Sequence, residues 1–206
     1  MDKRKLKDWE SDVSNILIAS QKFMKSCNKM FGRGYIGELL VFQQLIKSFE
    51  RELILDQNKI IYHGSSKKDF DFELYLNGNI IQVNAKGTLV VDKDSNPKWV
   101  RQHALKFCNS VPKSGKTLIT VNTEYRSNFF YIYVDVNAWL EKGKASFFVL
   151  SDKEAKNKFG RKYKKCYNNK KRRKNDSDDM WIEYSDISEY VDNNLNGLKK
   201  RLRKNN

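Results

Sequence analysis

The sequence predicts a mixed α/β domain with one central β-sheet flanked by helices, and three patterns lead to that prediction. Apolar residues recur at helical spacing over residues 9–30 and again over 35–50. Residues 69–88 alternate polar and apolar side chains on both sides of Asn77-Gly78, which is typical of a β-hairpin with a two-residue turn. β-branched and aromatic residues are concentrated in three further predicted strands, at 116–122, 128–136 and 145–151.

The remaining segments have less regular patterns. Residues 97–109 are predicted to form a helix opened by Pro97, and residues 152–159 a short helix. The last part of the chain is predicted to add a short strand and a helix near 186–200. No internal repeat or linker divides the sequence, so we predict a single domain over residues 1–206, made of an N-terminal helical segment (1–34), a core (35–150) and a basic C-terminal part (151–206).

The charge balance is the strongest global feature of the chain. The sequence has 40 Lys and Arg against 25 Asp and Glu, a formal net charge of +15. Such an excess indicates a polyanionic partner, most often nucleic acid. Residues 156–174 hold eleven Lys or Arg and no acid. We expect this run to contact DNA, unless it is a solvated loop, and the candidate residues are Lys164, Lys165, Lys170, Lys171, Arg172 and Arg173.

Several classes of protein are disfavoured by what the sequence lacks. No apolar run approaches the roughly 20 residues needed to span a membrane, and the charged first residues lack the apolar segment of a signal peptide. The 3 cysteines are far apart and suggest neither a disulfide framework nor a zinc site. With only 2 histidines, any metal is expected to be held by oxygen ligands, which suits Mg²⁺. We therefore expect an intracellular, cytoplasmic protein.

Polar side chains on the predicted hairpin and on the helix before it form a candidate site. Glu38 lies in the first turns of a helix that is apolar around most of its circumference. Asp69 and Asp71 open the first strand of the hairpin, while Asn84 and Lys86 share one face of the second strand because they are two residues apart. The hairpin should bring these two pairs together. The alternatives are that Glu38 occupies an exposed strip of its helix and that the hairpin presents a solvated polar face.

This arrangement resembles the PD-(D/E)XK nuclease superfamily, which includes many type II restriction enzymes. The resemblance covers residues 35–88 and depends on Glu38, on Asp71 (or Asp69) in "DFDFEL", and on "NAK" at 84–86. It implies a restriction-endonuclease-like core in which the Asp and the acidic residue of the last motif hold Mg²⁺, the Lys assists the attacking water and the helix Glu often joins the site. The expected catalytic residues are Glu38, Asp71, Asn84 and Lys86, the expected metal ligands are Asp71, Asn84, Glu38 and Asp69, and Gln82 flanks them.

Asn84 departs from the family pattern, which has Asp or Glu at that position. An amide is nearly the same shape as a carboxylate but carries no charge, so metal affinity and activity should fall while the fold survives. Either the natural protein uses Asn, with Glu38 or Glu73 supplying charge, or Asn84 is an inactivating Asp→Asn substitution. We favour the second explanation, because a missing ligand should lower activity. A shifted register, with Gln82 in the acidic position and Asn84 in the Lys position, would leave Lys86 without a role.

The resemblance implies a function and its partners. We expect a prokaryotic, Mg²⁺-dependent endonuclease that hydrolyses double-stranded DNA at specific sites, as type II restriction enzymes do. Cutting both strands usually needs two active sites, so a homodimer is expected. The alternatives are a repair, recombination or homing nuclease with the same core, and a catalytically inactive nuclease-like module that binds nucleic acid or a partner protein.

Overall fold

The structure is a computed structural model, and it describes residues 3–27, 33–55, 57–64, 69–91, 97–103, 107–113, 116–169 and 179–204. The helices are α1 (Lys3–Cys27), α2 (Arg33–Ser48), α3 (Glu50–Leu53), α4 (Val136–Lys142), α5 (Asp152–Asn169), α6 (Tyr184–Ile187) and α7 (Asn196–Lys204), with a 3₁₀ turn at Ser188–Tyr190. The strands are β1 (Lys59–Tyr62), β2 (Phe72–Leu76), β3 (Asn79–Val91), β4 (Pro97–His103), β5 (Cys108–Lys113), β6 (Lys116–Val121), β7 (Phe129–Val134), β8 (Phe147–Ser151) and β9 (Asp179–Glu183).

A five-stranded mixed sheet lies at the centre, in the spatial order β1, β2, β3, β7, β8. Strand β7 runs parallel to β3, and the other neighbours are antiparallel. With 13 residues, β3 continues beyond this sheet, and its far end pairs with β4, which in turn pairs with β9. Strands β5 and β6 form a separate hairpin. The predicted mixed α/β class, with a central sheet and flanking helices, is confirmed.

Each face of the central sheet has its own apolar core. Val83 and Ala85 of β3 belong to the core that also contains the buried side chains of α1 and α2. Tyr131 and Tyr133 of β7 belong to the other core, together with Phe159 of α5. Because side chains alternate along a strand, neighbouring residues of β3 therefore face different helices.

The β2–β3 hairpin is confirmed, including its turn. Leu76 pairs with Asn79, and the two residues between them both have positive φ, 50° at Asn77 and 79° at Gly78. Asn and Gly tolerate this left-handed conformation, which matches the twist of the flanking strands. Strands predicted at 116–122, 128–136 and 145–151 are also present, as β6, β7 and β8.

The helix predicted over residues 97–109 is wrong. Residues Pro97–His103 form β4, and the strand β5 begins at Cys108. Pro97 is the first residue of the strand, a position where its missing N–H costs little. Pairing with the far end of β3 and with β9 supplies the backbone hydrogen bonds that a helix would have made internally.

The C-terminal part also differs from its prediction. The short helix predicted at 152–159 is the 18-residue α5, which buries Ala155, Phe159 and Tyr163 at spacings of four. Residues 156–169 of the basic run therefore lie on a helix, whereas Lys170, Lys171, Arg172 and Arg173 lie outside the described residues. The single helix expected near 186–200 is divided into α6, a 3₁₀ turn and α7.

Candidate functional site

The candidate site lies along a stretch of β3 that pairs on one edge only. Pairing with β2 ends at Val83 and pairing with β4 begins at Thr88, so the described strands leave residues 84–87 with β7 as their single neighbour. Asn84 is in register with Tyr131 and Lys86 with Tyr133. Asn84 is only 6% exposed, whereas Lys86 is partly exposed.

Asp71 occupies the open edge of β3. Its backbone N–H still donates to the carbonyl of Val83, at 2.9 Å. Its carboxylate then accepts a hydrogen bond from the N–H of Ala85 at 2.7 Å. In a continued β2–β3 ladder, a backbone carbonyl of the paired strand would accept that bond. A carboxylate that replaces a backbone acceptor is fixed in position by the strand itself. The structure thus brings Asp71 between the positions of Asn84 and Lys86, as the hairpin predicted.

Asp69 contacts Asn84 through its backbone. The side-chain nitrogen of Asn84 donates to the carbonyl oxygen of Asp69 at 3.1 Å. A buried amide with a partner is stable, whereas a carboxylate at the same place could not donate this bond. Asn84 is therefore compatible with its surroundings in the absence of a cation.

Helix α2 approaches β3 through two glycines. A Cβ placed on Gly37 would lie 2.5 Å from the Cα of Gly87 and 2.7 Å from its nitrogen. Atoms of real side chains do not come so close to a backbone, so the helix can approach the strand this closely only because residue 37 is glycine. This contact places Glu38, the next residue of α2, near Lys86, the residue before Gly87.

Replacing Gly37 with Ala should lower the free energy of unfolding by about 2 kcal/mol or more, because the new methyl group meets backbone that cannot rotate away. Gly34→Ala is the matched control on the same helix, where a Cβ meets nothing within 4 Å. That control should stabilise the protein by about 0.5 kcal/mol. Urea denaturation of both variants measures the difference, and equal stabilities would contradict the close contact.

Glu38 is held by Tyr62 of β1. The Tyr62 hydroxyl donates to Glu38 Oε2 at 2.5 Å. The Tyr62 ring is stacked on Phe72 and Phe42, with ring centres 5.1 Å and 6.5 Å away. The hydroxyl is therefore fixed by aromatic packing, and it orients the carboxylate.

The electrostatic surroundings raise the pKa of Glu38 above its ordinary value. Burial is the largest cause, and it outweighs the hydrogen bond from Tyr62, which acts in the opposite direction. The charge of Asp71 raises this pKa further, and that of Lys86 lowers it. Asp71 and Lys86 therefore both lie within electrostatic reach of Glu38.

Glu38→Gln should stabilise the protein near pH 8 in the presence of a chelator. A raised pKa means that the folded state holds the proton more tightly than the unfolded state. Ionisation therefore costs stability as the pH rises from the ordinary glutamate range through the raised pKa. Glutamine keeps an oxygen that accepts from Tyr62 but never ionises. Melting curves should show a Tm a few degrees above wild type at pH 8 and no such gain at pH 4.

Glu50→Gln, at an exposed residue of α3, is the control for this prediction and should change the Tm little at either pH. A gain for Glu38→Gln that is the same at both pH values would contradict the role of ionisation.

Gln82 belongs to a different polar cluster. Its side-chain nitrogen donates to Glu73 Oε1 at 3.3 Å, and His63 Nε2 lies 2.9 Å from Glu73 Oε2. These contacts join Gln82 of β3 to Glu73 of β2, and Glu73 to His63, the residue after β1. They disfavour the shifted register, since Gln82 already has a structural partner.

The oxygen donors among the candidate residues are of the kind that a hard cation accepts. Glu38 and Asp71 contribute carboxylates, and Asn84 contributes an uncharged amide. Among the described residues, no three His, Cys, Asp or Glu side chains are grouped closely enough to hold a metal ion.

The predicted DNA-binding residues are only partly placed. Lys164 and Lys165 are exposed near the C-terminal end of α5, and the remaining four lie outside the described residues. Sequence reasoning missed Tyr62, the contact between Gly37 and Gly87, and Arg126, which is described below. The β-branched and aromatic residues of "KIIY" were the available signal for the strand that carries Tyr62. Nothing local identified the glycine pair.

The fold and the site define a mixed α/β protein with a charged cluster at a half-paired strand. Comparisons with known proteins gave no match to a protein-family model, a curated protein or a solved structure. Within the described part of the chain, none of the helices has the length and apolar character required to cross a membrane.

Proposed function

We propose that this protein is a Mg²⁺-dependent endonuclease with a restriction-endonuclease-like core that hydrolyses double-stranded DNA. The observation that supports it best is the Asp71 carboxylate at the open edge of β3, bonded to Ala85 between Asn84 and Lys86. The reach of Glu38 to both Asp71 and Lys86 adds a second carboxylate to the same place. This is the set of groups expected from the resemblance to PD-(D/E)XK nucleases.

The residues have distinct roles in this proposal. Asp71, Glu38 and the side-chain oxygen at position 84 would hold Mg²⁺, with Asp69 beside them. The ion, when bound, lowers the pKa of water and offsets charge on the phosphate. Lys86 orients the attacking water or stabilises negative charge that develops on the phosphate. Tyr62 keeps Glu38 in place, and the bond from Ala85 does the same for Asp71.

Asn84 is the residue of the proposed site that departs from the family pattern. Its amide removes one negative charge from the cation site and bonds to the Asp69 carbonyl. The two explanations remain a natural asparagine, with the charge supplied by Glu38 or Glu73, and an Asp→Asn substitution that inactivates the enzyme. Under the second explanation we expect metal binding and cleavage to be weak in the chain as it stands.

The net charge of +15 supports DNA as the substrate. Lys164 and Lys165 on α5, with the basic residues that follow, are proposed to contact the phosphate backbone. A homodimer with one site for each DNA strand completes the proposal for a type II restriction-like enzyme.

A second candidate function is a nuclease-like module that binds nucleic acid without cutting it. The bond between Asn84 and the Asp69 carbonyl favours it, because it satisfies the buried amide without a cation. A repair, recombination or homing nuclease would share the core of the first proposal.

One assay separates these functions. Plasmid DNA is incubated with Mg²⁺ and either the chain as it stands or the Asn84→Asp variant. Defined fragments would indicate a site-specific enzyme, and a smear a less selective nuclease. A mobility shift without cleavage by either protein would overturn the enzyme and favour the binding module.

A further inference from the structure

Arg126 lies in the loop between β6 and β7, and neighbours on several sides fix its side chain. Its Nη2 donates to Asp152 Oδ1 and to the hydroxyl of Tyr131, each at 3.1 Å. The guanidinium carbon lies 3.4 Å from the centre of the Phe129 ring. The backbone N–H of Arg126 also donates to Asp152 Oδ2, at 2.9 Å. The guanidinium is therefore held in one orientation before any ligand arrives.

The buried carboxylate beneath it is shared by two cations. Asp152 is fully buried, and its Oδ2 also accepts from Lys156 Nζ at 2.7 Å. Burial alone would raise the pKa of Asp152, but the hydrogen bonds from Arg126 and Lys156 outweigh it, and this pKa is lowered. One negative charge thus faces two positive charges, which leaves the group with a net charge of about +1 at neutral pH.

Part of the guanidinium still faces solvent. Both hydrogens of Nη2 are used by Asp152 and Tyr131, whereas Nε and Nη1 contact no acceptor among the described residues. The side chain of Arg126 is 40% exposed. An arginine with three remaining N–H donors and a fixed orientation is well suited to a phosphate, since little side-chain freedom is lost on binding.

Arg126 is linked to the candidate site through β7. Tyr131, which accepts its hydrogen bond, is in register with Asn84 on the neighbouring strand. Asp69, whose carbonyl accepts from Asn84, also acts on Tyr131. Burial is the largest cause of the raised pKa of the Tyr131 hydroxyl, and the negative charge of Asp69 raises it further. The guanidinium group therefore lies on the same face of the sheet as the Asn84 side chain, one strand away from it.

The surface next to Arg126 carries charges of both signs and becomes basic further along α5. Lys153, on the first turn of α5, lies 5.8 Å above the ring of Tyr125. Glu124 and Glu154 are exposed acids nearby, but Glu154 is engaged with the N–H and hydroxyl of Ser151 at the start of α5. Further exposed cations follow along the helix at Arg161, Lys164 and Lys165.

We propose that Arg126 binds a backbone phosphate of DNA beside the candidate site. The inference deepens the proposed function and rests on it for the nature of the substrate. Arg126 is the fixed end of a phosphate-binding surface that continues along α5. It binds and positions the strand, and it takes no part in bond breaking.

The test measures DNA binding, so it is independent of cleavage. Arg126→Gln, Arg126→Lys and wild type are titrated with a short labelled DNA duplex in EDTA over a series of salt concentrations. Arg126→Gln should weaken binding about tenfold near 0.1 M salt and reduce the salt slope by about 0.9. Arg126→Lys should fall between the two, because it keeps the charge but loses the planar donors.

Arg51→Gln is the matched control, since it removes an exposed arginine from α3. That helix lies beside the β2–β3 turn, where Asn58 donates both to the Glu52 carbonyl and to Asn77. The control should lose less affinity and keep the wild-type slope. Thermal melts show whether each variant is folded. Arg126→Lys keeps a positive charge beside the buried Asp152, so it can be tested even if the glutamine variant unfolds.

The inference is overturned if wild type shows no salt-dependent DNA binding. It is equally overturned if Arg126→Gln is folded and has the same affinity and salt slope as Arg51→Gln. If Arg126→Gln is unfolded, the deciding variant is Arg126→Lys, and binding equal to that of the unsubstituted protein overturns the inference. Arg126-dependent binding without cleavage by Asn84→Asp would remove the proposed enzyme and leave the phosphate site intact.

Discussion

Replacing Asn84 with Asp is expected to raise Mg²⁺-dependent cleavage of plasmid DNA by more than about 100-fold. The change adds a carboxylate near Asp71, on the same stretch of β3 as Lys86. Mg²⁺ binds charged oxygen ligands far better than amides, so occupancy of the site and acidity of its water should both rise. Initial rates of plasmid cleavage with Mg²⁺ and with EDTA measure the effect.

The same substitution should make stability depend on the cation. Asn84 donates to the Asp69 carbonyl, whereas a carboxylate at this nearly buried position would face that oxygen without a proton to offer. In EDTA the variant should be less stable than the asparagine form by about 1–3 kcal/mol. Mg²⁺ should restore much of this loss, because it binds the folded state alone. Thermal melts with and without Mg²⁺ provide a readout separate from activity.

Asn79→Asp is a matched control on the same strand, since Asn79 lies next to the hairpin turn and away from Asp71. It should change neither cleavage nor the response to Mg²⁺. If Asn84→Asp gives no gain over the asparagine form, the explanation of Asn84 as an inactivating substitution fails. If it also gains no stability from Mg²⁺, the proposed cation site fails with it.

Lys86→Met in the Asn84→Asp background should reduce cleavage by about 10²–10³-fold while DNA binding is largely retained. The ammonium group lies on the same face of β3 as position 84 and within electrostatic reach of Glu38. Its proposed role is to stabilise charge in the reaction, which a methionine of similar length cannot do. Single-turnover cleavage rates and binding in Ca²⁺ separate the chemical step from affinity.

Lys59→Met is the control, since it removes an exposed lysine that lies 4.8 Å above the Tyr75 ring on the opposite edge of the hairpin. Its cleavage rate should match that of the parent. Full activity of the Lys86 variant would refute the assignment of Lys86 and reopen the shifted register. An equal loss of binding and cleavage would indicate a role in affinity alone.

The fold was predictable wherever local signals agreed. The alternation of residues 69–88 and the Asn77-Gly78 turn specify the register of the hairpin, because a slip by one residue would bury every polar side chain. The spacing of apolar residues likewise predicted α1 and α2. Residues 97–109 were mispredicted because β4 is stabilised by two strands that local sequence does not reveal. It pairs with β9, which is distant in sequence, and with the end of β3, which extends past the predicted strand to Val91.

The site was predictable as a set of residues but not as a geometry. Hairpin pairing was enough to predict that Asp71 lies near Asn84 and Lys86. The carboxylate of Asp71 on the N–H of Ala85 could not be predicted, since it depends on where pairing with β2 stops. Tyr62 was missed because it reaches Glu38 only after β1 adds to the edge of the sheet.

The sequence by itself determined the hairpin, the two N-terminal helices, the basic charge and the absence of a carboxylate at position 84. These properties depend on residue identity and on contacts between near neighbours, which a linear pattern contains. Only the tertiary structure decided that Gly37 contacts Gly87. That contact brings Glu38, the residue after Gly37, near Lys86, the residue before Gly87. The tertiary structure also decided that Arg126 is fixed by Asp152, Tyr131 and Phe129. Such contacts join residues that become neighbours only when helices and strands pack, so their energies have no signature in local sequence.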